Sequence, residues 1–221
     1  MSRQPRISLL SFLLLSVAVG SSAASAQRAP VSAPRAGPKL PPAIFTPALE
    51  GTTYQYDAFS NRILGTDGLT TTYVDGDGRL GRRLGLFFND NPREPLSFST
   101  DSLAQLWPLA VGKRAVFSVR RGELAWTYEA RVTDTERVTV PSGTYDTYVV
   151  VTVETPLRTR TPATAKTRLT TFWYAPSIQN VVRLLSLTTA ANGTKDTRRA
   201  RLIRVTPPAT PSRARPAPTE R

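Results

Sequence analysis

Residues Val138–Val153 read VTVPSGTYDTYVVVTV, and the fold class turns on how they are read. Two runs of β-branched and aromatic residues flank Pro141-Ser142-Gly143. In that turn proline presets φ, glycine permits positive φ and serine can bond local backbone. Beyond it, Tyr145, Thr147, Val149, Val151 and Val153 share one face of a strand, and Tyr148, Val150 and Thr152 the other. Both faces are largely apolar. The hairpin is therefore expected at the centre of a sheet, covered on both sides.

The flanking segments have the same character. Leu124–Thr133 alternates strictly: Leu124, Trp126, Tyr128, Ala130 and Val132 point one way, and Ala125, Thr127, Glu129, Arg131 and Thr133 the other. That is the pattern of a strand with one buried and one wet face. Ala115–Arg120 precedes it across Arg121-Gly122. Downstream, a polar Thr/Arg/Pro loop at 155–166 leads to Arg168–Ala175, where Leu169, Thr171 and Trp173 face opposite Phe172 and Tyr174. Pro176–Asn180 turns the chain into Val181–Thr189, and after Asn192-Gly193 comes Arg199–Val205.

Further upstream, Thr52–Asp57, Leu69–Asp75 and Arg79–Phe88 also read as strands. The last two flank Asp75-Gly76-Asp77-Gly78, a strong hairpin signal. Leu80, Leu84, Leu86 and Phe88 share a parity with Arg82, and Arg83 lies opposite. Asp101–Leu109 is the single place for a helical turn, with Asp101 as cap and Leu103, Leu106 and Trp107 on one side. The expectation is an all-β domain: a curved antiparallel sheet, half-open barrel or sandwich of about nine strands with one short helical turn. Parallel α/β architecture is excluded because nothing is left for crossover helices.

Both ends differ from this middle. Met1–Ala26 reads as a secretory signal peptide: Arg3 and Arg6, an apolar run over Ile7–Val19, and Ala24-Ser25-Ala26 as the cleavage pattern. Residues 27–49 form a Pro/Ala-rich linker, 50–205 the β domain, and 206–221 a disordered Pro/Arg-rich tail. The expectation is a secreted or periplasmic protein, cleaved near Ala26 and not integral to a membrane thereafter.

The chain has no cysteine and no histidine. A Ser-His-Asp triad, a histidine zinc site and a histidine-ligated haem are thereby excluded, and so is a lipid-modified cysteine. Net charge is +13, from 29 basic and 16 acidic residues, and roughly +6 of it falls on the β domain. Such a bias suits anionic envelope partners such as lipid headgroups or acidic polysaccharide. Nucleic acid is a poor partner for an exported chain with no recognition helix.

Several constellations have a structural and a chemical reading. Asp75 and Asp77 suggest a calcium loop, but Arg79, Arg82 and Arg83 follow and would repel a cation, so the segment reads as a turn. Asn192-Gly193-Thr194 matches a glycosylation acceptor and reads as a turn as well. Among the aromatics Trp107, Trp126, Tyr128, Trp173 and Tyr174, the strand parities of Trp126, Tyr128 and Trp173 aim inward. These three are the candidate lining of a ligand cavity within the core. Arg82, Arg83, Lys113, Arg120 and Arg121 sit near strand ends and are the candidate basic rim. Asp146 and Glu154 are acid–base candidates by location alone. No cofactor or metal site is expected.

Three segments taken together carry a resemblance: LWPLAVGK at Leu106–Lys113, VPSGTYDTY at Val140–Tyr148 and FWYAPSI at Phe172–Ile178. In this order they resemble exported bacterial proteins of unknown function with a "PLxxGK … VPAGTF … WYAP" pattern, over about Leu106–Leu187. The resemblance implies a curved antiparallel sheet, sometimes likened to the half-barrel of lipoprotein carriers. It brings no catalytic residues. The chain departs from it after Pro176, where Ser177-Ile178-Gln179-Asn180 stands in place of a frequent glycine. The functional expectation is a non-enzymatic β domain that binds an apolar or amphiphilic envelope component such as lipid. The alternatives are an envelope interaction module for a protein or anionic polysaccharide, and a carboxylate-based hydrolase.

Overall fold

The computed structural model describes residues 37–90, 97–98, 100–158 and 166–209. Five strands come first: β1 (Thr53–Tyr56), β2 (Ser60–Asp67), β3 (Thr70–Asp75), β4 (Leu80–Leu84) and β5 (Phe88–Asp90). β6 (Ser97–Phe98) and the short helix α1 (Thr100–Ala104) lead to β7 (Arg114–Arg121), β8 (Leu124–Val140) and β9 (Gly143–Arg158). β10 (Lys166–Ala175), a 3₁₀ turn at Pro176–Ile178, β11 (Asn180–Ala190) and β12 (Lys195–Thr206) complete it.

All twelve strands form one antiparallel sheet in the order β5-β4-β3-β2-β1-β12-β11-β10-β9-β8-β7-β6. Neighbours in space are neighbours in sequence except where β1 pairs with β12. The two edge strands, β5 and β6, therefore follow one another along the chain. The all-β antiparallel expectation holds, with α1 in the connection from β6 to β7.

The strand count exceeds the nine read from sequence. β2 is absent from that reading because Ser60-Asn61-Arg62 and Gly65-Thr66-Asp67 dilute its apolar alternation, and the short β5 and β6 carry no pattern of their own. In the other direction, β8 is one strand where the sequence suggests two, because the polar Asp134-Thr135-Glu136-Arg137 stay paired with β9. A register shift between Val132 and Asp134 changes which face is buried. Before it, Tyr128, Ala130 and Val132 join one core cluster; after it, Val138 and Val140 join the other from the opposite face. The central hairpin is covered on both sides near its turn, whereas farther along β9 Val153 and its partner Leu169 are exposed. The hairpin loop is only Pro141-Ser142, with Val140 paired to Gly143, whose φ of 140° demands glycine.

The first cluster gathers Leu84 and Leu86 with Phe117, Val119, Tyr148, Val150, Phe172 and Tyr174. Leu103, Leu106 and Leu109, which follow from α1, cap it and are fully buried. Each contributes about 1.5–3 kcal/mol of transfer free energy. The second gathers Tyr54, Tyr56, Ile63, Tyr73, Trp173, Ala175, Ala200 and Leu202 with Val138 and Val140. Strands distant in the sheet order thus share cores, which requires the sheet to curl. Gly81 is needed for this packing, since a Cβ there would lie 2.4 Å from the ring of its cross-strand partner Tyr73.

The linker expectation at 27–49 changes from Gly37 onward. That stretch is extended but seated on the sheet. Thr135 Oγ1 donates to Pro38 O at 2.6 Å, Tyr148 Oη donates to Pro41 O, and Ala43 and Leu109 exchange two backbone bonds. Gly37 lies so close to the Thr135 carbonyl that a Cβ would fall 1.6 Å from its oxygen. The polar loop at 155–166 is also shorter than read, because β9 continues to Arg158. Residues 1–36, on which the signal-peptide expectation falls, the remainder of that loop and residues 210–221 lie outside the described residues.

Asp75-Gly76-Asp77-Gly78 is a turn held by its own side chain: Asp75 Oδ1 accepts from Asp77 N at 3.0 Å and Arg79 N at 2.8 Å. Asn192 does the same for Thr194 N at 3.0 Å.

Candidate functional site

Antiparallel pairing sets residues on β7–β11 side by side in rungs. One rung runs Phe117–Tyr128–Glu154–Arg168–Thr188, and another Val132–Val150–Phe172–Leu184–Ala200. Partners in a rung point to the same face, so this face carries aromatic and aliphatic side chains with one acid and one base among them. Phe117 and Tyr128 stack at 5.6 Å, and Phe87, from the turn after β4, meets Phe172 edge-on at 5.3 Å.

The curl leaves a cavity of about 400 Å³ against this face. Its apolar wall includes Phe59, Leu86, Phe87, Trp126, Tyr128 and Phe172. Its polar groups are Asn61, Arg83, Glu154 and Arg168. A few polar groups placed in a mostly apolar hollow of this size are the ordinary makeup of a small-ligand site. A second, more polar cleft shares Phe87, Arg168, Phe172 and Leu184 with it and opens along β10–β12.

Glu154 and Arg168 are cross-strand partners and form an ion pair at 3.2 Å, with the Glu154 side chain 12% exposed. Arg83 is different. Its Nη1 donates to Asn180 Oδ1 at 2.6 Å, while its Nε is enclosed and has no hydrogen-bond partner. No carboxylate among the described residues forms an ion pair with it. Around Arg83 stand Tyr54, Tyr56, Tyr73 and Tyr174. Burial raises all four phenols, against a smaller lowering by the guanidinium. Tyr174 is pushed up to about 12, so these rings remain neutral donors and acceptors. Tyr54 and Tyr56 donate to Ile178 O and Val181 O at 2.7 and 2.6 Å, tying β1 to the start of β11.

Of the residues singled out in sequence, Trp126 and Tyr128 are on the cavity wall. Trp173 is not: it is buried as its parity implies, but in the second cluster and not on the cavity, which corrects its candidacy as lining. Successive residues of β10 face opposite ways, and it is Phe172 and Tyr174 that share the face of Tyr128. Trp173 sits in the second cluster, its Nε1 bonded to Glu136 Oε2 at 2.6 Å and Arg183 3.7 Å above its ring. The basic rim does not assemble. Arg82 is exposed on β4, Lys113 reaches only the Gln105 carbonyl at 3.4 Å, and Arg120 lines a separate small cleft. The side chain of Arg121 lies outside the described residues.

Only Arg83 of that group reaches the cavity, from inside it. The parity argument had put Arg83 opposite the leucines. The chain turns at Gly85, φ 53°, so Leu84 and Leu86 are buried through a turn and not through strand alternation. Arg168 was missed in sequence, although its even spacing from Phe172 and Tyr174 was the available signal. Asp146 lies outside this cavity, gripped by Arg137 Nε and Nη2 at 2.7 and 3.1 Å, and that hydrogen bonding holds its carboxyl below the usual range.

Residues 95–200 match the family described as "Protein of unknown function (DUF3108)", and the Leu106–Leu187 resemblance lies inside that match. No curated protein matches the chain. Among solved structures, the hypothetical lipoprotein YmcC from Escherichia coli is 12% identical, with 71% of this chain and 84% of that chain covered at a TM-score of 0.44. A provisionally assigned exported protein with a YmcC-like fold from Bacteroides fragilis is 16% identical, with 74% and 99% covered at a TM-score of 0.42. The present chain has no cysteine to carry a lipid.

Proposed function

We propose that this protein is an exported, non-enzymatic binding domain whose cavity takes the apolar part of an envelope amphiphile. The observation that carries the reading is the 400 Å³ hollow walled by Phe59, Phe87, Trp126, Tyr128 and Phe172. A wall of this kind gains from burying an alkyl or acyl chain at about 25 cal/mol per Å² of apolar surface removed from water. The one acid on the wall, Glu154, is committed to Arg168, and no second carboxylate lines the cavity. This favours binding over acid–base chemistry. The signal-like segment Met1–Ala26 supplies the route to the envelope.

The test is mass spectrometry of solvent extracts from the purified mature protein, beside titration with a fluorescent acyl probe. The reading expects a co-purifying lipid or saturable probe uptake, weakened by Phe172→Trp, which fills the hollow. Absence of both, or uptake indifferent to that substitution, would contradict it.

A further inference from the structure

Resting on the reading that the cavity takes an apolar chain, we propose that the bound molecule ends in an anionic oxygen headgroup, a carboxylate or phosphate, received by Arg83. Three observations converge on this residue. The first is its incomplete bonding. A guanidinium offers five N–H donors in a planar fork, yet its side-chain bonding is the single contact to Asn180, and the enclosed Nε has no acceptor. The residue is partly buried on the wall of the hollow, and no carboxylate among the described residues pairs with its charge. A carboxylate or phosphate oxygen is the acceptor that fork geometry suits best.

The second is the charge balance of the wall. The ionic side chains lining the hollow are Arg83, Glu154 and Arg168. Glu154 neutralises Arg168 at 3.2 Å, which leaves one positive charge, on Arg83. The phenols around Arg83 do not supply the missing anion: burial raises Tyr54, Tyr56 and Tyr73, and Tyr174 is pushed up to about 12.

The third is Asn61, 9% exposed and also on the wall. Its side-chain amide makes no hydrogen bond to another described residue, and its atoms are not sealed off, so it can donate to the same headgroup. The remaining wall includes the apolar side chains Trp126, Phe172 and Leu184. The hollow therefore combines one unopposed positive charge with aromatic and aliphatic wall, which suits a single-chain acidic amphiphile. A purely structural Arg83 would need only the Asn180 bond; its unopposed charge on the wall and the idle Asn61 amide are left unexplained by that role.

The probes are dodecanoate, dodecyl phosphate, dodecanol and inorganic phosphate, titrated calorimetrically into the mature chain. We expect each anionic amphiphile to bind on the order of tenfold or more tighter than dodecanol. Arg83→Gln should erase that preference, bringing the ratio of acid to alcohol affinity close to one, and Arg83→Lys should restore part of it. The comparison of acid with alcohol on the native sequence needs no variant, so a misfolded Arg83→Gln protein does not block the test. Equal binding of acid and alcohol overturns the proposal while leaving the apolar cavity intact. Inorganic phosphate binding as tightly as dodecyl phosphate overturns it in favour of a simple ion site. If none of the amphiphiles binds, the cavity reading itself fails and takes the headgroup proposal with it.

Discussion

Arg83 Nη1 donates to Asn180 Oδ1 at 2.6 Å across 97 residues of chain, joining the fourth strand to the first residue of the eleventh. Asn180 is 1% exposed, and the same oxygen accepts from Val181 N at 2.8 Å. One buried amide therefore fixes both a charged side chain on the cavity wall and the entry into β11. Replacing it by alanine removes a charge-assisted and a neutral hydrogen bond together. Asn180→Ala is expected to cost about 2–4 kcal/mol in urea denaturation. A loss below about 0.5 kcal/mol would show that the Arg83–Asn180 bond does not hold the wall.

The seated stretch from Gly37 to Leu49 gives a second prediction. Its attachment runs through Tyr148 and Thr135 to the carbonyls of Pro41 and Pro38. Tyr148→Phe should loosen it by about 1 kcal/mol, and Gly37→Ala should lift its start through the clash with Thr135. Trypsin cleavage after Lys39 is expected to speed up in both variants. Unchanged cleavage rates would mean that the segment is held elsewhere.

A third concerns the turn before β11. Gln179 adopts φ 57°, ψ 31°, a left-handed conformation that costs a side-chain-bearing residue about 1–2 kcal/mol. Glycine avoids that cost but loses more backbone entropy on folding. Gln179→Gly is therefore expected to stabilise the domain by about 0.5–1 kcal/mol, read as a raised urea midpoint.

That turn also shows what sequence reading could reach. The resemblance flagged the missing glycine after Pro176, and the backbone explains why one is frequent there. The hairpin at Pro141-Ser142-Gly143, the Asp-Gly turn at Asp75 and the buried leucines after α1 were legible because local residue chemistry determines them. The facing of β8 beyond Val132 was not legible. One shifted residue reverses every later side chain, and nothing at Thr133-Asp134 announces it. Trp173 was misplaced for a related reason: β10 is apolar on both faces, so parity alone does not say which face meets the cavity. Arg83 was legible as a cation near a strand end, but its inward position depends on the Gly85 turn and on Asn180, 97 residues away. A contact of that span leaves no local pattern.

Asp57 gives a pH prediction. The Arg201 backbone N–H donates to Asp57 Oδ1 at 2.9 Å, and its side chain adds a bond at 3.0 Å. The backbone bond is the main cause of the lowered Asp57 pKa; desolvation opposes it, and the Arg201 side chain adds to the lowering. Because the folded value lies below the unfolded one, the unfolded chain takes up the proton first as pH falls. Stability from this group is present above the ordinary Asp value of about 4 and is lost on acidification through the folded value. Asp57→Asn should flatten the fall in urea midpoint below pH 4, and an unaltered slope would remove Asp57 as its source.

The cavity claim is tested most directly by quenching of tryptophan fluorescence with a bromine-labelled dodecanoate. Trp126 is on the cavity wall, whereas Trp173 is on the opposite face of β10, bonded to Glu136. With Trp107, which packs on the same cluster, replaced by phenylalanine throughout, saturable quenching is expected, retained on adding Trp173→Phe and largely lost on adding Trp126→Phe. Quenching that persists in Trp126→Phe but disappears in Trp173→Phe, or no quenching at saturating probe, would contradict an apolar ligand in this cavity.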